Sequence, residues 1–259
     1  MHSNKANNKP YLIIKNVITM KGLKYYAFGL CAALMLNSCG MSNTAKGGLL
    51  GGGGGAALGA ALGAILANNS GKGAAIGGAA GAVVGTAAGL LIGKKMDKAK
   101  KAAEAVANAQ VESVTDANGY QAVKVTFDSG ILFQTGKSVL NASAQSSLSN
   151  FANNVLKPNT DMNVGIIGYT DNQGWKGSTA AESVQKNQAL SLQRAQAVSS
   201  YLLAQGVTNA QIKEVAGLGE SNPVADNSTA AGQAQNRRVE VYLYASEEMI
   251  KAAEAGTLQ

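Results

Sequence analysis

Glycine recurs at every fourth position from residue 73 to residue 93: Gly73, Gly77, Gly81, Gly85, Gly89 and Gly93. Gly51, Gly55, Gly59 and Gly63 keep the same spacing upstream. On a helix, a period of four holds the glycines to one side and opens a groove that another helix backbone can enter. They sit in two uncharged stretches, 47–67 and 73–93, joined by Asn68-Asn69-Ser70-Gly71-Lys72. A helix of about 20 apolar residues spans a bilayer. Lys46, Lys72, Lys94 and Lys95 flank both stretches, where their amines can reach headgroups. The competing reading is a flexible Gly/Ala linker, since in water each Gly costs a helix about 1 kcal/mol relative to Ala. A linker has no need of strict spacing, or of Leu and Ile. Residues 47–93 are therefore expected to form a membrane-associated helical hairpin. So weakly apolar a sequence suits a position across the bilayer or in its surface. The Ala/Lys-rich run 94–110 reads as a solvated helical spacer, about 25 Å long at the helical rise per residue.

Upstream lies a leader. Lys21 and Lys24 precede the apolar run Tyr25–Leu36, which is short for a membrane span and is followed by small polar residues. That order is the signal-peptide pattern, and Met20 makes a more compact start for it than Met1. Leu36-Asn37-Ser38-Cys39 resembles a bacterial lipobox, in which the Cys thiol receives a lipid and cleavage leaves that Cys first. Residues 1–38 are then removed and 39–46 form a lipidated tether. Cys31 goes with the leader, so Cys39 is left with no partner for a disulfide. Gly40, by resemblance to enterobacterial lipoproteins, favours the outer membrane. The formal charge of +7 is uneven. Five lysines and no acid precede Cys39, whereas from Val111 onward 10 basic residues face 13 acidic ones. A nucleic-acid binder would carry its basic face on the folded domain, so that class is set aside. The single histidine, His2, removes histidine metal sites and Ser-His-Asp or Cys-His catalysis from the body of the chain.

From Val111 the pattern becomes that of a folded α/β domain, expected over 111–246. Val123, Val125 and Phe127 alternate as in a half-buried strand. Leu148, Phe151, Ala152, Val155 and Leu156 recur at helical spacing before Pro158. Strands are expected at Val164–Gly168, Ile212–Ala216 and around Val239, Val241 and Leu243. A long helix is expected over 187–205, stopped by Gly206. Helices and strands in alternation predict a two-layer α/β sandwich with a mixed sheet and two main helices. Residues 247–259 read as a frayed polar tail or short helix. Arg194 is out of place: at about 100° per residue it falls inside the apolar sector of Leu190, Ala197, Val198, Tyr201 and Leu202. It is either a cation snorkelling to the rim or one positioned for an anion, to which guanidinium can bind bidentately. Asp171, just past a predicted strand end, is either a turn former or its partner in a clamp for an amino acid group.

GYTDNQG (168–174), LSLQRAQAVSSYL (190–202), GLGESNPVADN (217–227) and NRRVEVYL (236–243) resemble, in order, the motifs of the OmpA-like peptidoglycan-binding domain. The resemblance covers roughly 120–245. With the lipobox, glycine zipper and Lys-rich spacer, the chain resembles the YiaD-type outer-membrane lipoproteins. It implies a βαβαβ-type sandwich that binds the free amino-carboxyl centre of diaminopimelate in the peptidoglycan stem. The family's binding Asp falls on Asp171 and its binding Arg on Arg194, with Asn187 and Arg238 at further motif positions. Residues 175–186 are an insertion relative to the commoner loop. The implied protein is a non-enzymatic outer-membrane lipoprotein facing the periplasm. Its partners are peptidoglycan and, through acylated Cys39, outer-membrane lipid; the zipper implies a homo-oligomer, and no cofactor is implied. Two other readings compete. A peptidoglycan-cleaving enzyme would need a second carboxylate beside Asp171, with Glu182 and Glu220 the candidates. A zipper-built oligomeric pore or assembly factor would use the domain only as an anchor.

Overall fold

The computed structural model describes residues 85–116 and 118–259. Its frame is a five-stranded sheet in the order β1-β2-β5-β3-β4. The strands are β1 (Ala109–Thr115), β2 (Gln121–Asp128), β3 (Met162–Gly168), β4 (Ile212–Gly217) and β5 (Arg238–Ala245). β3 and β4 run parallel, and the other neighbours are antiparallel. The helices are α1 (Ala87–Glu104), α2 (Ser129–Leu132), α3 (Ala142–Phe151), α4 (Ala180–Ala204), α5 (Ala230–Asn236) and α6 (Glu247–Glu254), and a π turn (Ala152–Leu156) prolongs α3. This is the mixed α/β sandwich that the patterning predicts. The strands and helices expected over 111–246 form, with α3 starting six residues before Leu148 and α4 seven before Asn187. Gly206, at φ +89°, ends α4 as expected, in a conformation open to glycine without penalty.

β5 lies between β2 and β3, and all eight of its residues are buried. Val239, Val241 and Leu243 join Phe127, Phe151, Ile166 and Leu202 in the main core. Tyr242 and Tyr244 join Ala122, Ile167 and Tyr169 in a second cluster. The alternation of apolar and polar residues in β5 therefore separates two buried layers, where sequence alone suggests one buried and one wet face.

Three expectations are corrected. The run 94–110 is no solvated spacer: Ile92, Met96, Ala99 and Ala103 of α1 are fully buried in the main core. α1 packs on β1, β2 and α6, so the domain begins well before residue 111. The helix also crosses the expected boundary between 93 and 94. Its buried stripe excludes Gly93, where an added Cβ would meet only Gln121 Oε1 at 3.5 Å, and a Cβ at Gly85 would meet nothing. Of the two forms expected for residues 247–259, the short helix is the one found: it is α6, with Met249 and Ala253 buried. Cys39 and most of the expected hairpin lie outside the described residues. Among those described, no helix is long and apolar enough to cross a membrane.

The α4 helix sits close on the sheet because two glycines make room. Gly168 and Gly217 are register partners at the ends of β3 and β4. A Cβ on Gly168 would run into the Ser191 carbonyl, and one on Gly217 into the Leu192 nitrogen. This close approach brings the buried face of α4 against the strand ends, where binding groups gather.

Candidate functional site

Asp171 follows β3 and Arg194 lies mid-helix on α4; both line a cleft of about 700 Å³. The cleft wall also includes Ser129, Phe133, Thr170, Trp175, Lys176 and Arg237. Among the described residues, Asp171 is its one carboxylate. Asp171 is 7% exposed. Its Oδ1 accepts from the Gln173 amide at 3.2 Å, and its Oδ2 pairs with Arg237 Nη1 at 2.5 Å.

Arg194 is 3% exposed. Its Nε donates to the Lys137 carbonyl at 3.0 Å, and its guanidinium carbon lies 5.3 Å from the Phe133 ring centroid. No described group accepts a hydrogen bond from its two terminal nitrogens. Burial lowers its pKa below the ordinary guanidinium value; the Asp171 charge opposes this and the Arg237 charge adds to it. A cation stripped of water and left with free donors favours an incoming anion. Ser129 Oγ and Thr170 Oγ1 are buried in the same wall and have no hydrogen-bond partner among the described residues. Polar atoms so placed account for themselves once a ligand supplies the missing partners.

Asn187 also lines the cleft, but its amide is occupied. Its Nδ2 donates to the Gln173 carbonyl at 3.2 Å and to Glu220 Oε2 at 3.2 Å, while its Oδ1 accepts from the Trp175 indole at 2.8 Å. The geometry makes Asn187 a brace for the loop after β3. Arg238 is elsewhere. Its guanidinium pairs with Glu240 at 2.8 Å, stacks 3.8 Å from the Tyr169 centroid and donates to the Asn222 carbonyl at 3.1 Å. It lines a different pocket, with Lys124 and Glu240. The expectation of Arg238 at the site is thus corrected in favour of Arg237, which sequence reasoning missed. Strand parity carried the signal: Arg237 shares the phase of Val239 and Val241, the side that faces α4. Neither carboxylate proposed for an enzyme reaches the cleft wall. Glu182 accepts from the Thr179 amide and hydroxyl in a capping box at the start of α4, and Glu220 accepts from Asn187.

Residues 175–186 fold onto the start of α4, with 180–186 making up its first two turns. The Trp175 amide donates to Ser183 Oγ at 3.0 Å, and Lys186 Nζ donates to Ser178 Oγ at 2.7 Å.

In sequence, the C-terminal part of the chain is similar to OmpA-family domains. The OmpA family model matches residues 132–237, and a YMGG-like Gly-zipper model matches residues 20–97. The chain is homologous to bacterial envelope lipoproteins. It is 42% identical over 113 residues to the Escherichia coli protein named "Probable lipoprotein YiaD", covering 44% of this chain and 47% of that one. It is 39% identical over 113 residues to the outer-membrane lipoprotein YfiB of Pseudomonas aeruginosa, covering 44% and 61%. It is 48% identical over 86 residues to the peptidoglycan-binding protein ArfA of Mycobacterium tuberculosis, covering 33% and 24%. The chain thus spans less than two thirds of each of these relatives. In fold, it is similar to the crystal structure of a MotB-like protein from Desulfovibrio vulgaris, with a TM-score of 0.52 at 23% identity over 62% of this chain and 100% of that one.

Proposed function

We propose that this protein is a lipid-anchored outer-membrane protein whose C-terminal domain binds the peptide stem of peptidoglycan and so ties the outer membrane to the cell wall. The observation that supports this most is the shared cleft of Asp171 and Arg194. One carboxylate and one guanidinium with free donors suit a centre that carries an ammonium and a carboxylate on the same carbon, as the end of diaminopimelate does. Asp171 takes the ammonium and Arg194 the carboxylate. Arg237 holds Asp171 in place, and Asn187 braces the loop that carries it. ArfA, by its name, binds peptidoglycan, and YfiB, by its name, is an outer-membrane lipoprotein; both likenesses favour the reading.

The anchor is acylated Cys39, with the domain on the periplasmic side. The glycine-spaced segment lies against or within the membrane, where close helix pairing would make the protein a homo-oligomer. The test uses membranes carrying the full chain, mixed with purified cell-wall sacculi. Membranes should sediment with the sacculi, and free diaminopimelate should release them. Cys39→Ala protein should take up no palmitate label yet still bind sacculi. Co-sedimentation that excess diaminopimelate leaves intact would refute the stem-binding reading.

A further inference from the structure

The cleft carries more positive charge than a zwitterion needs. Arg194, Arg237 and Lys176 line it against the single carboxylate of Asp171. Lys176 comes from the insertion, and so does Trp175, the only tryptophan of the 259 residues. Trp175 is not loosely placed: the indole N–H is held by Asn187 and the backbone N–H by Ser183. Both anchors lie on α4, on the segment that also positions Arg194. The insertion thus fixes an aromatic surface and a cation beside the Asp171–Arg194 pair. Lys176 makes no ion pair with a described residue, so its charge is available to a ligand.

Resting on the stem-binding reading, we propose that the insertion is a specificity element that reads the residue next to the zwitterionic centre. Trp175 packs on the ligand's methylene chain, and Lys176 takes a second carboxylate. The ligand class is an acidic peptide with at least one more carboxylate than ammonium. A γ-linked glutamyl residue preceding diaminopimelate has this chemistry, since its α-carboxylate stays free. Lys176 is exposed, so its contribution is modest and screened by salt. Trp175 is partly buried and rigidly held, which lets it bind with little ordering cost.

The test titrates two probes into full-length protein in detergent: free diaminopimelate and N-acetyl-γ-glutamyl-diaminopimelate. Calorimetry gives affinity, and Trp175 emission reports its own contact. The acetylated dipeptide should bind more tightly, by about three- to fivefold at low salt. Lys176→Gln should bring the two affinities together, with the larger loss on the acetylated dipeptide. Emission should shift with saturation for both probes. Equal affinities for the two probes in wild-type protein, an equal Lys176→Gln loss for both, or emission that stays flat while calorimetry shows binding would each overturn the proposal and leave the stem-binding reading standing. Wild-type protein that binds neither probe would overturn both.

Discussion

Arg237 and Asp171, 66 residues apart in sequence, form an ion pair of 2.5 Å at the cleft. Arg238, the next residue, has its guanidinium on the other side of the sheet, against Tyr169 and Glu240. Neighbouring strand residues point to opposite faces, so two adjacent arginines serve two different purposes.

Alanine at each position should therefore give different losses. Arg237 is about one-third exposed, so Arg237→Ala should alter stability little while weakening ligand binding through a less well-held Asp171. Arg238→Ala would leave Glu240, 2% exposed, without its buried counter-charge, at a cost of about 3–5 kcal/mol. Chemical denaturation of the two variants measures this, and equal stabilities would contradict the assignment.

The α1 helix should behave as part of the core. Met96→Ala should cost about 2–5 kcal/mol, the usual range for a truncated core side chain. A fragment that begins at residue 111 should lack cooperative unfolding, since it loses the buried stripe of α1 and the start of β1. A solvated spacer would tolerate both changes.

Gly168→Ala and Gly217→Ala test the close approach of α4 to the sheet. Each added methyl meets helix backbone, which has little freedom to yield. Each should destabilise by about 1–3 kcal/mol or more. Because α4 carries Arg194, surviving folded protein should also bind ligand more weakly. Unchanged melting temperatures would show that the helix rides higher than described.

Tyr244 should set an alkaline limit. Burial, then the Glu214 and Asp116 charges, push its phenol up to about 12. Its folded pKa lies above the ordinary value of about 10, so the folded state holds the proton more tightly. Stability should be intact below pH 10 and fall as the pH rises towards 12. Its hydroxyl has no hydrogen-bond partner among the described residues. Tyr244→Phe should thus flatten this part of the profile at little cost at neutral pH. A profile unchanged by the substitution would exclude Tyr244 as the cause.

Much of the fold is legible in the sequence where apolar residues are large. β3, β5 and α4 declare themselves through Val, Ile and Leu at strand or helix spacing, and Gly206 marks a helix end. α1 is not legible in this way. Five lysines dominate Lys94–Lys101, while its buried stripe is mostly Ala with one Ile and one Met. β1, Ala109–Thr115, is polar and half-exposed, and is a strand because β2 offers it a partner edge. At the site, Asp171 and Arg194 stand out because a charge interrupts a pattern. Arg237 is missed because motif matching gives no face, and only strand parity separates it from Arg238. The bracing role of Asn187 depends on the Trp175 indole, which only the folded insertion brings to it.

In the proposed function, Asp171 and Arg194 jointly hold a zwitterionic ligand. Calorimetric titration of a diaminopimelate-containing stem peptide into full-length protein in detergent tests it most directly, with thermal unfolding as the control for folding. Each charge-assisted hydrogen bond contributes about 1.5–3 kcal/mol, so Asp171→Ala and Arg194→Ala should each weaken binding by about 10- to 100-fold. Arg194→Lys should recover only part of the loss, because an ammonium lacks the bidentate fork. Wild-type affinity in folded Asp171→Ala and Arg194→Ala proteins would rule out this clamp.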